Sequence, residues 1–376
     1  MTRMDRLVLN EVVGLFIGGV LLFTTLFFAT GELVRYVEFL QTGKGWSLVI
    51  QLILTTIPMA LSFTTAMGML LASLLGFGRL SDDNEITALT AAGVPFPRIA
   101  APALVFAGLV ALSLSIAAHT VVPSTMRTRQ ALLDNAKKDL GGGPQIREAF
   151  FLPLKTEGKL VLLNALGGVG TDGSGIATLD DVFITVTEND KVISMVQAKR
   201  AKWQVDSRNW KLEGIKRSAS WKNEYLVELT GAELDANEQT YALKPPEELE
   251  VFARSEMEHT TAELLRRAAI LRETGQAKKA AKADGEIARR QVGALAPFVF
   301  ALVGAPLGVR PKRSGAGMGY ALSVLITFVY WILSQVCLSL AIGSGGPIGV
   351  LAQIPNILGI GLGIFFLSRV VRYNRV

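Results

Sequence analysis

Uninterrupted apolar positions dominate six stretches of the chain, at approximately 12–30, 48–77, 99–122, 292–309, 318–342 and 348–367. At a rise of about 1.5 Å per residue each is long enough to cross the ~30 Å hydrocarbon core of a bilayer, so the pattern predicts six transmembrane helices in two groups of three. The second run is too long for an upright crossing and contains Pro58, which predicts a tilted, kinked or protruding helix. The first follows only Arg3 and Arg6, and no small-residue cleavage site ends it. It is therefore read as a retained span and not as a signal peptide.

Between the two groups the period changes from that of a helix to two. From about Glu148 to Leu243 apolar and polar residues alternate in short runs: Trp210 and Leu212 against Asn209, Lys211 and Glu213, then Val182, Ile184 and Val186, then Tyr225, Val227 and Leu229. Turn residues such as Thr171-Asp172-Gly173-Ser174-Gly175 and Glu188-Asn189-Asp190 separate the runs. Such alternation predicts eight or nine antiparallel strands, enough for one small sandwich or jelly roll. The predicted fold class is thus a membrane α-helical protein, three plus three spans, with an inserted all-β, jelly-roll-like domain. Its expected divisions are 1–122 (three spans), 123–258 (β-domain), 259–290 (amphipathic connector) and 291–376 (three spans).

Two polar stretches carry helix signals of their own. In Gly78–Arg98, Asp82 is spaced as an N-cap with Glu85 three residues on, the capping-box pattern. Gly93 supplies a left-handed stop, followed by Pro95 and Pro97. The expected helix covers about 82–92, outside the bilayer, with Ile86, Leu89 and Thr90 on one face. Such a helix suits a surface that receives force from a partner, and equally a capped loop joining two spans. After a linker at Pro245-Pro246, Thr260 and Glu263 form a second capping-box match ahead of a basic helix reaching about Glu273. A Lys/Ala-rich connector, 275–290, leads into span four. It suits contact with anionic headgroups or a solvated link equally.

Composition agrees with the pattern: half of the 376 residues are hydrophobic and the mean hydropathy is +0.39. The net charge of +6 is modest and no basic run is interleaved with aromatics, so nucleic-acid binding is disfavoured. The basic residues instead mark topology. Arg3, Arg6, Arg79, Arg98, Arg310, Lys312, Arg313, Arg369, Arg372 and Arg375 collect on one side, against Lys44 and Arg35 on the other, which predicts cytoplasmic termini and a cytoplasmic 78–98 stretch. The β-insert then lies outside. Glycines recur in the outer spans (Gly14, Gly18, Gly19; Gly359, Gly361, Gly363), where they suit close helix crossings within the chain or with a second subunit.

Several chemistries lack their residues. No GxxxxGK[ST], GxSxG or HExxH occurs, and two histidines (His119, His259) with one cysteine (Cys337) make no zinc spacing. The predicted spans hold no chain of buried acids of the kind a proton-coupled carrier needs. The sequence therefore predicts a non-enzymatic protein without a cofactor, driven by another polypeptide.

The order GRLSDDNEITALTAAGV after span two, Pro123 with Arg127 after span three, ALVGAPLGVRPKRSG ending span four and Pro355-Asn356 in span six together resemble the lipopolysaccharide-export permease family, LptF/LptG. The coupling stretch leans towards the F-type. The resemblance covers essentially the whole chain. It implies a permease subunit that extracts lipopolysaccharide from the bacterial inner membrane and passes it to a periplasmic β-bridge. The implied partners are a second LptF/LptG-type permease (a heterodimer, or a homodimer in some species), a cytoplasmic LptB-like ATPase dimer that uses the ATP, and periplasmic LptC/LptA-like β-jelly-roll proteins. Carried over by position, Asp82, Glu85, Ile86 and Leu89 would couple to the ATPase, and Arg35 and Arg127 would hold the lipid's phosphates. A different class, an ATPase-driven mechanotransmitter that carries no lipid, fits less well because such proteins have four spans with the external domain after the first. A secondary transporter fits less well still, for want of midplane acids.

Overall fold

The computed structural model describes residues 3–41, 45–138, 150–156, 159–165, 169–171, 176–188, 191–204, 207, 209–222, 225–229, 240–241, 255–273, 275–309 and 316–373. The two strand-separating turns, Pro245-Pro246, Lys44, and the basic residues at 310–313 and 375 lie outside them. So do the side chains of Arg372, Tyr225, Val227 and Leu229.

Among the described residues, six helical segments are long and apolar enough to span a membrane: Arg3–Gln41, Trp46–Asp82, Phe96–Leu133, Ala277–Gly308, Gly319–Ser344 and Ile348–Val371. The first comprises α1 (Arg3–Phe27), a π-helical turn at Phe28–Glu32 and α2 (Leu33–Gln41). Then come α3 (Trp46–Asp82), the short α4 (Glu85–Ala91) and α5 (Phe96–Lys138). After the insert follow α6 (Thr261–Glu273), α7 (Ala277–Gly308), α8 (Ala316–Ser344), α9 (Ile348–Leu351) and α10 (Ile354–Tyr373). Pro58 sits inside the continuous α3, whose 37 residues exceed one bilayer crossing and so carry it past the hydrocarbon.

By contact the chain forms two compact units, 1–132 with 278–376, and 133–277. Two expected boundaries are therefore not breaks in the chain. Helix α5 runs without a break through Pro123 to Lys138. The 275–290 stretch is not a separate connector: from Ala277 it is the opening of α7. Alanine and lysine are strong helix formers, and Ala280, Ala283, Glu286, Ala288 and Arg290 are buried.

Within the first unit α7 is the central, most buried span. Small residues let its neighbours approach. A Cβ on Gly304 would lie 2.8 Å from Ser73, and one on Gly308 2.8 Å from the Leu74 carbonyl. Gly359 and Gly363 admit Val299 and Leu302 in the same way, whereas Gly14, Gly18 and Gly361 face open space. Asn356, fully buried in α10, ties three helices together by accepting from the Tyr330 hydroxyl at 2.7 Å and donating to the Val292 carbonyl at 3.3 Å. Between α1 and α3 the crossing is glycine on glycine. A Cβ on Gly68 would meet Val20 at 2.7 Å, and one on Gly19 would meet the Gly68 Cα at 3.1 Å. Gly68→Val is accordingly expected to cost about 1–3 kcal/mol, since a Cβ there also meets the Val20 backbone nitrogen at 2.9 Å. Denaturation of the protein in mixed micelles measures it, and an unchanged midpoint would mean that the helices part freely.

The second unit holds an antiparallel sheet of eight strands: β1 (Phe150–Thr156), β2 (Lys159–Ala165), β3 (Val169–Thr171), β4 (Ala177–Glu188), β5 (Lys191–Gln204), β6 (Asn209–Lys222), β7 (Tyr225–Leu229) and β8 (Thr240–Tyr241). The order is β1-β2-β4-β5-β6-β7, with β3 added to β4 and β8 to β6. The period-two reading holds: Leu179, Val182, Ile184, Val196, Trp210 and Leu212 are buried. On the other face Arg200 stands opposite both Asp180 and Glu213 and binds Asp180 at 2.7 Å. The Thr260–Glu263 capping box also forms, with Thr260 N–H donating to Glu263 at 2.7 Å and Glu263 N–H to Thr260 Oγ1 at 3.3 Å.

Candidate functional site

Helices α3 and α5 are joined at one end of the bundle by α4. Asn84 in the left-handed conformation (φ 61°) turns the chain into α4, and Gly93 (φ 85°) turns it out. The expected Asp82 cap is not what starts this helix. Asp82 is the last residue of α3, Asn84 holds the N-cap position and no side chain caps it. The aspartates extend the preceding helix because α3 has no stop signal before Asp83. Glu85 is nevertheless the first residue of α4, where the helix dipole favours an acid.

The apolar face of α4 turns inward. Ile86 is 2% exposed and packs with Val8, Val12, Phe77, Phe96 and Ile99, and Leu89 lies against the same cluster. These two residues therefore fasten α4 to the bundle, and the outward face is Thr87, Ala88 and Ala91 with Asp82 and Asp83 beside it. Glu85 lies at the margin, and its Oε2 is shielded from solvent without a hydrogen-bond partner. Arg79 and Arg98, topological markers in the sequence, both reach to α1. Arg79 donates to Glu11 at 3.1 Å, and Arg98 holds Asp5 through two contacts of 2.9 and 3.4 Å. Movement of α4 is thus mechanically linked to three spans.

At the opposite end, α1 passes through the π-helical turn and presents Arg35, whose side chain is 62% exposed. Its acid neighbour Glu32 is held mainly elsewhere. Arg129 of α5 donates to Glu32 at 2.8 Å and to the Thr56 hydroxyl at 3.1 Å, while Arg35 stands 3.8 Å from Glu32. The Tyr36 hydroxyl donates to the same Thr56 Oγ1 at 3.3 Å, and Thr56 donates to the Leu52 carbonyl at 2.7 Å. Arg129 therefore neutralises Glu32, and among the described side chains the exposed Arg35 guanidinium has only that already paired carboxylate, at 3.8 Å. Arg127, the predicted partner of Arg35, is half-buried and two residues away, about 200° round the helix from Arg129. The structure brings Arg129, not Arg127, to Glu32.

A second charge group on α7 joins this end. Glu286 accepts from Arg289 at 2.7 and 2.8 Å and from Arg290 at 3.0 Å, and the Arg289 guanidinium lies 5.9 Å from the Phe63 ring. Phe63 stacks on Phe27 at the base of the π-turn. Each group holds two arginines to one carboxylate, Arg35 and Arg129 about Glu32 and Arg289 and Arg290 about Glu286, and in the first the exposed Arg35 is suited to a phosphorylated ligand. Sequence reasoning missed Arg129 because it stands beyond the expected end of span three. It missed the α7 group because 275–290 read as a connector; the spacing of Glu286 to Arg289 and Arg290, three and four residues, was the available signal.

Among the described residues no cluster of His, Cys, Asp or Glu could hold a metal ion. Compared with known proteins, the chain matches the family model for the lipopolysaccharide export system permease LptF/LptG over residues 6–369. No curated protein matches it.

Proposed function

Because the chain belongs to the LptF/LptG family of lipopolysaccharide export permeases, we propose that its two functional ends are a lipid-phosphate mouth at Arg35 and a docking helix at α4 for an ATPase. The protein is a multi-pass, non-catalytic permease subunit of a lipopolysaccharide export system. Its partners in this reading are a second LptF/LptG-type permease, an LptB-like ATPase dimer that binds and hydrolyses the ATP, and periplasmic LptC/LptA-like proteins. The termini and α4 are cytoplasmic and the β-domain periplasmic, in line with the charge asymmetry of the loops. The coupling stretch leans towards the F-type subunit.

The observation that carries the lipid end is the exposure of Arg35 beside a Glu32 already satisfied by Arg129. A phosphate arriving at the outer face of the membrane meets a guanidinium free to form charge-assisted, two-pronged bonds. Closure of the ATPase dimer would press α4, and the Arg79–Glu11 and Arg98–Asp5 pairs would carry that displacement to α1. Narrowing of the cavity then lifts the acyl chains towards the apolar face of the β-sheet.

Arg35→Glu is expected to lower lipopolysaccharide capture several-fold while co-purification with the ATPase stays unchanged. Equal loss of both would indicate a misfolded permease, and unchanged capture would remove Arg35 from the path.

A further inference from the structure

At the end of the bundle that carries the N-terminus, α1 and α5 enclose a groove of about 510 Å³. Its head is the Asp5–Arg98 ion pair. Its walls are apolar: Leu9 and Val13 from α1, and Ala101, Pro102, Val105 and Phe106 from α5. Asp5, Leu9 and Val13 recur every four residues and so share one face of α1. Phe106 is fixed edge-on to Phe16 at 5.3 Å, whereas Val105 is 64% exposed, so the groove opens outward to the bilayer.

Its dimensions and polarity select the occupant. From Asp5 to Val13 the groove follows about 12 Å of helix axis, most of the ~15 Å depth of one hydrocarbon leaflet. The walls are apolar, the groove opens to the bilayer beside Val105, and a cation stands at its head, the arrangement of a lipid's acyl chain and phosphate. An acyl chain fits. At the head, Asp5 occupies one side of the Arg98 guanidinium, yet the Arg98 side chain is 46% exposed and its remaining N–H groups are open. Arg3 and Arg6, on the first turns of the same helix as Asp5, are exposed.

We infer that this groove binds a glycerophospholipid of the leaflet on the N-terminal side, with the phosphate on Arg98 and one acyl chain along Leu9, Val13 and Val105. The site rests on the membrane reading of the chain, but it is separate from the lipopolysaccharide path, which begins at Arg35 at the other end of α1. Its lipid fills the seam between spans one and three beside the ion pair that links α1 to α5.

The test is native mass spectrometry of the full permease complex released in mild detergent. One retained phospholipid is expected per copy of this chain, at least tenfold depleted by Ala101→Trp, which places an indole in the groove. Leu340→Trp, at a position 65% exposed on α8, should leave retention unchanged. Arg98→Gln should abolish a preference for phosphatidylglycerol over phosphatidylcholine on re-lipidation. A photo-crosslinker at Val105, which needs no disruptive substitution, should capture phospholipid. Retention unaffected by Ala101→Trp, lipopolysaccharide as the retained lipid, or a polypeptide captured at Val105 would overturn the site. Lipopolysaccharide crosslinking at Arg35 is read separately, so failure of this site and failure of the export reading are distinguishable.

Discussion

Arg129→Met is expected to lower the stability of the solubilised protein by about 3 kcal/mol, because it strands Glu32 in a largely buried setting. Both side chains of the pair are about 15% exposed or less, and Arg129 also donates to Thr56, which in turn receives the Tyr36 hydroxyl. Removing the cation leaves the carboxylate without its 2.8 Å partner. The nearest replacement is Arg35, at 3.8 Å. If Arg35 swings to Glu32, the exposed cation is neutralised and lipid capture falls as well, although Arg129 need not touch lipid. The double variant Glu32→Gln/Arg129→Met removes the stranded charge and should recover at least half of the lost stability together with capture at Arg35. Denaturation in mixed micelles and lipid crosslinking read the two effects. A cost below about 0.5 kcal/mol would place the pair with ordinary surface ion pairs and end the claim that Arg129 keeps Arg35 available.

Glu85→Ala is expected to reduce lipopolysaccharide export more than tenfold with little change in the amount of protein in the membrane. Its side chain is not part of the apolar anchor: Ile86 and Leu89 hold α4 in place, and Glu85 stands at the margin as the first residue of the helix. An acid at the first position of α4, at the margin of the face left outside, adds negative charge where a basic group of a docked protein would meet it. Export reconstituted with the ATPase should therefore uncouple, with ATP still hydrolysed and little lipid moved. Thr87→Ala, which alters the exposed face by one hydroxyl, should have a far smaller effect. Normal export by Glu85→Ala with normal ATPase association would show that α4 couples through its small residues alone.

The six spans and the β-insert were legible in the sequence because their signals are local. Apolar runs of span length, period-two alternation around Trp210 and the glycine stop at Gly93 each act within a few residues. What escaped depends on tertiary partners. Asp82 has the spacing of a cap, yet α3 had no reason to end before it, and the turn was made by Asn84 instead. Ile86 and Leu89 read as a face for a partner, but a seven-residue helix cannot stand on its own and uses that face to bind its own bundle. Arg129 went unnoticed because helical phase, not sequence position, decides which basic residue of α5 meets Glu32. The 275–290 stretch read equally as a segment for anionic headgroups and as a solvated link because its lysines stand out in the sequence. Its alanines form the buried stripe that makes it part of α7.

The central claim, that lipopolysaccharide enters at Arg35 and leaves along the β-domain, is tested most directly by photo-crosslinkers at Arg35 and Trp203 in membranes containing the ATPase, with and without ATP. Trp203 is preferred to the fully buried Trp210, against which it packs at 5.3 Å, because it is only half-buried on the same apolar face. The account predicts lipopolysaccharide crosslinks at Arg35 without ATP and at Trp203 only when ATP is hydrolysed. Absence of lipid at both positions, in a complex that retains the ATPase, would contradict it.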